Sequence, residues 1–341
     1  MGAITFFTNR TEITGLTHDS TFNDADLSSY ISSSAVGVII EIVNSGTVSY
    51  LGRVRCNGST DDITTAANID VDSYTVVVAK CDASRVVEIY SENSVLKYYV
   101  TGELGAGAIL KTNLVNKSTS TTGSWVEVDI TADLEAGDSG NVEAAIVTSV
   151  GTLNADKEFN VRKKGSTDDY IDDSHGIMSW IVGVDSSDIF EQQISQAAQD
   201  CYLVGYIKTD SGLTMKTNYV EKTSLTNDAW TDLDITTDTS ATADGVILTI
   251  TSSSSALKYT RKNSSTNAVA DHQYITRMSN FIGLDSSQIL EYYGNTASIQ
   301  IMGYTAPSGA TYNATTEGAL PAMTGGIARE VIYKRTITGV I

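Results

Sequence analysis

Short apolar runs separated by polar clusters recur along the whole chain. Residues 36–43, 142–147 and 246–250 are three such runs, and their lengths suit strands rather than helices. In residues 126–130, apolar side chains alternate with carboxylates, as in a strand with one buried face. Ser, Thr, Asn, Asp and Gly between the runs supply turns. The pattern predicts about seven to nine short antiparallel strands per hundred residues.

The strongest signal in the sequence is a threefold repeat. Arg55, Arg162 and Arg261 each precede a segment of the form Gly/Ser-Ser-Thr-Asp/Asn. An upstream aromatic residue, a downstream Asp, a Glu six residues after it and a later Gly recur in the same order. In chain order these columns are Phe22, Trp125 and Trp230; Asp82, Asp185 and Asp285; Glu88, Glu191 and Glu291; Gly102, Gly205 and Gly303; the last is followed by Glu103, Tyr206 and Tyr304.

The repeat divides the chain into three modules and a tail. We expect an all-β protein of three tandem antiparallel β-sandwich or jelly-roll-like modules. Module one spans residues 1–104 and is the most diverged, module two spans 105–208, and module three spans 209–306. Residues 188–198 also fit a helical turn, but the equivalent column in module three looks like a strand, so we predict a strand there.

Residues 307–341 follow the last module. Their closing run, residues 330–341, is strand-prone and resembles residues 11–16. We expect this run to pair on a sheet edge, in the same chain or on a neighbouring subunit. A loosely docked tail is the alternative.

Composition and charge limit the classes of partner. Hydrophobic residues make up 41% of the chain, enough for real cores, while the formal net charge is −19. Such a surface repels nucleic acid and anionic membranes, so neither is an expected partner. Three cysteines, Cys56, Cys81 and Cys201, form no disulfide framework and suggest synthesis in a reducing cytosol. The first residues show no Sec-type pattern and no apolar run is long enough to span a membrane, so we expect neither a leader nor a membrane span.

Most recurrent polar and aromatic residues have a structural interpretation beside a functional one. The arginine column could bind anions or sugars, but pairing with the glutamate column of its own module is favoured, because a fold-keeping pair must occur in every copy. Trp125 and Trp230 could stack on sugars, yet repetition favours a place in the core. Asp26, Asp129 and Asp234 are interpreted as strand-end residues that accept backbone hydrogen bonds.

The sequence contains no recognisable catalytic or metal-binding motif. The scattered His18, His175 and His272 form no zinc motif, and no nucleophile elbow or phosphate loop occurs. We therefore expect no enzyme activity and no cofactor. Acidic loops, with Asp61, Asp62, Asp70 and Asp72 in module one and Asp168, Asp169, Asp172 and Asp173 in module two, leave Ca²⁺ open as a weaker alternative. Module three keeps Asn267 and Asp271 in that stretch.

The anchors together resemble β-sandwich modules carried by tailed-phage virion proteins, where they occur on tail fibres, head fibres and other exposed components. The likeness covers about 300 residues and is fullest in modules two and three, on Trp125, Arg162, Gly165, Asp185, Tyr206, Trp230, Arg261, Asp285, Glu291, Tyr292 and Tyr304. Module one departs from it with Phe22 for Trp, Cys56-Asn57 for Lys-Lys, and Glu103 for Tyr. No coiled-coil or collagen-like shaft is visible, which speaks against a long fibre.

The resemblance implies a non-enzymatic structural protein of a tailed-phage virion. We expect it to be made in the host cytoplasm, exposed on the particle surface, and to act through other virion proteins and homo-oligomeric contacts, as a capsid decoration or tail component. A tail adhesin that binds host surface glycans is the alternative. A bacterial surface module is a third, against which the missing export signal argues.

Overall fold

A computed structural model describes residues 2–62, 68–71, 73–151, 158–169, 176–197, 199–252, 258–267 and 277–307. The predicted pairing strand of the tail lies outside these residues, as do His175, His272 and the distal acidic loop residues Asp72, Asp172, Asp173 and Asp271.

Strands make up almost all of the regular structure. Module one contains β1 (Ile4–Glu12), β2 (Phe22–Asp26), β3 (Gly37–Asn44), β4 (Tyr50–Cys56), β5 (Asn68–Ile69), β6 (Ser73–Lys80), β7 (Val86–Ser91) and β8 (Leu96–Leu104). Module two contains β9 (Ala108–Asn116), β10 (Val126–Asp129), β11 (Val142–Gly151), β12 (Phe159–Lys163), β13 (Ile177–Gly183), β14 (Ile189–Ile194) and β15 (Gln199–Lys208). Module three contains β16 (Leu213–Asp234), β17 (Gly245–Ser252), β18 (Lys258–Lys262), β19 (Arg277–Gly283) and β20 (Ile289–Thr305). Thr131–Asp133 forms a single 3₁₀ turn.

The sheets have jelly-roll connectivity. In module one, the sheets run in the orders β1-β8-β3-β6 and β2-β7-β4-β5, all antiparallel. Module two repeats both, as β9-β15-β11-β13 and β10-β14-β12. In module three, β16 and β20 are long enough to run through both sheets, which therefore join into one. The all-β, jelly-roll expectation is confirmed.

The strand predicted between residues 188 and 198 is present as β14. The helical period of that stretch was misleading because Phe190, Gln192 and Ile194 all point to the buried face of a strand. Alternation by two residues, rather than by three or four, decides the secondary structure here.

Each module has its own core, and a further core lies between the modules. Module three, for example, buries Val246, Leu248 and Ile250 on one face of β17. The shared core takes side chains from all three modules, including the equivalent Ile39, Ile146 and Ile247, which are at most 1% exposed. Burying such a side chain is worth about 1.5–3 kcal/mol. Packing between modules therefore contributes to stability in the same way as packing within them.

Candidate functional site

The recurrent Ser-Thr segments join neighbouring modules. At the first junction, Ser59 Oγ donates to Asn113 Oδ1 over 3.0 Å, and the Thr60 N–H donates to the same oxygen over 3.0 Å. Asn113 belongs to β9 of module two, so the bond crosses the module boundary. We call this arrangement the clasp.

The clasp recurs at both other junctions. At the second junction, Asn218 Oδ1 accepts from Ser166 Oγ at 3.0 Å and from the Thr167 N–H at 2.9 Å. At the closing junction, where module three returns to module one, Asn9 Oδ1 accepts from Ser265 Oγ at 3.0 Å and the Thr266 N–H at 2.9 Å. Because the third clasp connects the last module to the first, the three modules form a closed ring with pseudo-threefold symmetry.

The residue after the Ser-Thr pair reinforces each clasp. Asp61 accepts the Leu114 N–H at 2.7 Å, and Asp168 accepts the Tyr219 N–H at 2.8 Å. At the closing junction Asn267 accepts the Arg10 N–H at 3.2 Å. Asp61, Asp168 and Asn267 therefore each accept a backbone N–H of the next module. An amide oxygen can accept this bond, which is why Asn replaces Asp in module three.

The arginine column holds the clasp loops in place. Arg55, Arg162 and Arg261 donate through Nε to Glu88, Glu191 and Glu291 at 2.8, 2.8 and 2.9 Å. Through Nη1 each also donates to a backbone carbonyl of its clasp loop, at residue 61, 168 or 267. The favoured interpretation, an arginine paired with the glutamate of its own module, is the one that the structure contains.

The core assignment is wrong for Trp125 and holds in part for Trp230, which packs against a core with its ring centroid 5.7 Å from that of the buried Tyr259. Both are half-buried, and each ring covers the guanidinium of its own module, with Arg162 Cζ 4.1 Å and Arg261 Cζ 3.8 Å from the ring centroid. Phe22 covers Arg55 in the same way at 3.7 Å. Each ring lies over the arginine of its own module, so the contact that recurs in all three modules is a cation–π contact.

Trp180 is the tryptophan that is fully enclosed in a core, and the sequence interpretation passed over it. It is 2% exposed, and its Nε1 donates to Ser149 Oγ at 3.1 Å. It has no counterpart in the other modules, so the repeat could not reveal it. The signal lay in the apolar run around it, which Ser179 interrupts and which becomes the fully buried strand β13.

The recurrent aspartates close a tight turn in every module. Asp82 Oδ1 accepts the N–H groups of Ser84 and Val86 at 2.9 and 2.8 Å, and Asp185 and Asp285 do the same in their modules. These backbone bonds, chiefly that from Val86, lower the pKa of Asp82. The turn also places Arg85, Asp188 and Gln288 at positive φ, so three non-glycine residues share one strained position.

The last anchor column fixes the loop before the third strand. Tyr206 is fully buried; its hydroxyl accepts the Glu135 N–H at 2.9 Å and donates to Asp138 at 2.7 Å. Glu103, which replaces tyrosine in module one, accepts the Ser32 N–H at 2.6 Å instead. Tyr206 and Glu103 therefore each accept a backbone N–H from this loop, one through a hydroxyl and the other through a carboxylate. Tyr304 is half-buried beside Lys216.

The strand-end interpretation of three further aspartates is confirmed. Asp26, Asp129 and Asp234 accept the N–H groups of Ser28, Thr131 and Thr236 at 2.7–2.9 Å. Hydrogen bonds from these residues lower the pKa of each carboxyl, chiefly the backbone bonds at Asp26 and Asp234 and the Thr131 side-chain bond at Asp129. Such carboxylates stabilise turns and are poorly suited to act as acids.

Other candidate chemistry is also accounted for locally. The three cysteines are buried free thiols, and burial raises the pKa of Cys81 to about 11. His18 bonds to Ser91 through Nδ1 at 2.7 Å. Among the described residues no group of three or more His, Cys, Asp or Glu side chains could hold a metal ion. In the same part of the chain, no helix is long and apolar enough to cross a membrane.

The closing junction contains a buried charge network that the sequence interpretation missed. Arg10 of module one pairs with Glu41 and donates to the Tyr259 hydroxyl of module three at 3.0 Å. That hydroxyl lies 2.9 Å from Glu41 Oε2. Burial raises the pKa of Glu41, against the opposing charge of Arg10. A lone carboxylate inside the apolar run 36–43 was the available signal.

Comparisons with known proteins add little. No protein-family model matches the chain, and no curated protein matches it in sequence. A solved structure described as "The Triple Jelly Roll Fold and Turret Assembly in an Archaeal Virus" aligns with 89% of this chain and 91% of its own, at 8% identity and a TM-score of 0.21. At that TM-score the alignment supports no argument.

Proposed function

We propose that this chain is a non-enzymatic structural protein of a tailed-phage virion. It is exposed on the particle surface as a capsid decoration or tail component, and it acts through contacts with other virion proteins and further copies of itself.

The closed ring is the observation that carries this proposal. The recurrent Ser-Thr residues bond across every junction and hold the three jelly rolls together. The recurrent arginines, glutamates and aspartates bond within their own modules and support the loops and turns there. A rigid pseudo-trimer in one chain suits an assembly in which symmetry organises the contacts. The net charge of −19 favours an outward position, away from packaged nucleic acid.

Immunogold electron microscopy of purified particles, with antibody to this chain, tests the proposal. Gold over the head identifies a decoration protein, and gold over the tail identifies a tail component. Particles without gold, from a lysate in which the chain is abundant, would contradict the virion location.

A second function is favoured by the three half-buried aromatic rings. Phe22, Trp125 and Trp230 each stack on an arginine at equivalent positions of the ring, which gives the surface three related aromatic patches. Aromatic faces stack on sugar rings, so a tail adhesin that recognises host surface glycans is the alternative. A glycan array with the wild-type chain and with Trp125→Ala separates the two functions, since a purely structural protein binds no glycan in either form.

A further inference from the structure

The second sheet of every module ends in an edge strand that pairs on one side within the described residues. These edges are β2, β10 and the last part of β16, which pair with β7, β14 and β20 respectively. An edge strand presents backbone N–H and C=O groups to any extended segment that can add to it.

The edges carry carboxylates, and this charge favours an added strand that carries cations. Across each sheet the order of side chains is Arg, then Glu, then a carboxylate on the edge: Asp24 faces Glu88, Glu127 faces Glu191, and Asp232 faces Glu291. Like charges directly opposite each other destabilise a sheet. A cation on the next strand outward would offset this repulsion, whereas an acidic edge of another copy would add to it.

One of the three edges already has such a cation. In module two, Lys164 Nζ lies 3.0 Å from Glu127. In modules one and three the residue in that column is Asn57 or Asn263, which donates to Asp82 or Asp285 instead. In the described part of the chain no cation lies within ion-pair distance of the exposed Asp24 or Asp232.

The C-terminal run carries the cations that these two edges lack. Residues 330–341 combine strand-forming Val, Ile, Tyr and Thr with Lys334 and Arg335, against one carboxylate, Glu330. Its net positive charge contrasts with the charge of −19 on the chain as a whole. A strand of this composition would bring opposite charge and backbone hydrogen-bonding groups to the edges.

The tail also starts from a place that can reach these edges. Ala3, Gly107 and Ser211 meet at one pole of the ring, where the Ala3 N–H donates to Ser211 O at 2.9 Å. The Ala306 N–H donates to the neighbouring Gly212 O at 2.8 Å, so the tail leaves from this pole. Asp232 pairs with Glu291 near the far end of β20, which is about 46 Å along the strand from Thr305 at ~3.3 Å per residue. Residues 307–329 can extend to roughly 75 Å.

We propose that residues 330–341 add as a β-strand to the acidic edge of module one or module three of the same chain. Tethering supplies an effective concentration in the millimolar range, which favours this site over one on a second copy in dilute solution. This inference is independent of the virion function.

Hydrogen–deuterium exchange tests the proposal on the full chain and on a chain that ends at residue 325. We expect residues 22–26 and 231–234 to exchange about tenfold more slowly in the full chain, as millimolar tethering of a weak strand predicts. Residues 126–129 are the internal control, because Lys164 already serves Glu127, and residues 37–44 report whether the fold is intact.

A charge swap provides the matched variants. Lys334→Glu with Arg335→Glu should remove the protection while the tail keeps its length, and Asp24→Lys with Asp232→Lys in that background should restore it. Equal exchange in the full and truncated chains would overturn the proposal. A light-scattering mass above the monomer that falls on truncation would also overturn it, since it would place the strand on a second copy.

Discussion

The closing junction and the first junction share one clasp but differ in what lies beneath it. At the closing junction the buried positions hold Arg10, Glu41 and Tyr259. The equivalent residues at the first junction are Leu114, Thr148 and Arg53. Each set lines a small cavity, of about 40 Å³ at the first junction and about 30 Å³ at the closing junction. The first junction is also held by the short chain segment between β8 and β9, whereas the closing junction has no covalent connection.

The buried ion pair of the closing junction contributes more to the choice of the correct partner than to the strength of the contact. A buried ion pair gains little over apolar packing, because desolvation of both charges offsets their attraction. It does discriminate strongly, since an incorrectly placed partner leaves a buried charge without compensation. A junction tethered by the chain needs no such selection, and at the first junction the uncharged Leu114 and Thr148 accordingly take the places of Arg10 and Glu41. The junction without a tether is the one where module three must select module one.

The largest expected effect comes from removing one charge at the closing junction. Arg10→Met leaves the buried Glu41 without its counter-ion and should lower the free energy of unfolding by about 3–5 kcal/mol. Chemical denaturation followed by tryptophan fluorescence measures this loss. The control is Glu41→Leu with Arg10→Met, which replaces both charges by apolar groups and should recover most of the stability. A neutral Arg10→Met variant would contradict the role given to the pair.

A smaller effect is expected from the clasps, and it should depend on the tether. Asn9→Ala and Asn113→Ala each remove one acceptor of two hydrogen bonds, a loss of about 1–3 kcal/mol. Asn9→Ala should also speed hydrogen exchange in β1, because no covalent link keeps that junction closed. Asn113→Ala is the matched variant at a tethered junction. Equal opening of both junctions would remove the distinction drawn between them.

Removal of an aromatic ring that lies over an arginine should lower stability less than removal of a clasp. Trp125→Leu removes the ring over Arg162, which positions the clasp loop of the second junction, and should cost about 1 kcal/mol. Thermal unfolding measures the change. Trp180→Leu is the comparison, because loss of a fully packed core ring should cost several kcal/mol. If Trp125→Leu costs as much as Trp180→Leu, the half-buried placement of Trp125 is wrong.

Acid should affect the turns and the closing junction in opposite directions. The pKa of Asp82 is lowered, so its carboxylate contributes stability above the ordinary aspartate range near pH 4, and this contribution is lost as pH falls through the lowered pKa. The pKa of Glu41 is raised, so the folded chain takes up that proton more readily than the unfolded chain.

Denaturation between pH 7 and pH 3 checks this opposition. Asp82→Asn should make the loss of stability on acidification slightly shallower, because the amide oxygen keeps the turn but no longer titrates. Glu41→Gln should make the loss slightly steeper. A shift of the same sign in both variants would contradict the two pKa directions.

The sequence alone determined the class of fold and the repeat. Periodicity of two residues and polar turns are local properties, so strands could be identified without knowing their partners. Repetition also predicted the Arg–Glu pairs, since residues that recur in order about one module apart serve the fold of each copy.

Tertiary structure alone decided that the modules close into a ring. Asn9, Asn113 and Asn218 recur about one module apart in the sequence, as the Ser-Thr segments do. Each clasp joins an Asn of one module to the Ser-Thr segment of another, and this pairing depends on how one jelly roll rotates against the next. The same holds for Arg10, Glu41 and Tyr259, which occur once each and lie far apart along the chain. Local pattern fixes which face of a strand is buried; contacts between distant segments depend on the packing of whole modules, and no short stretch of sequence records that.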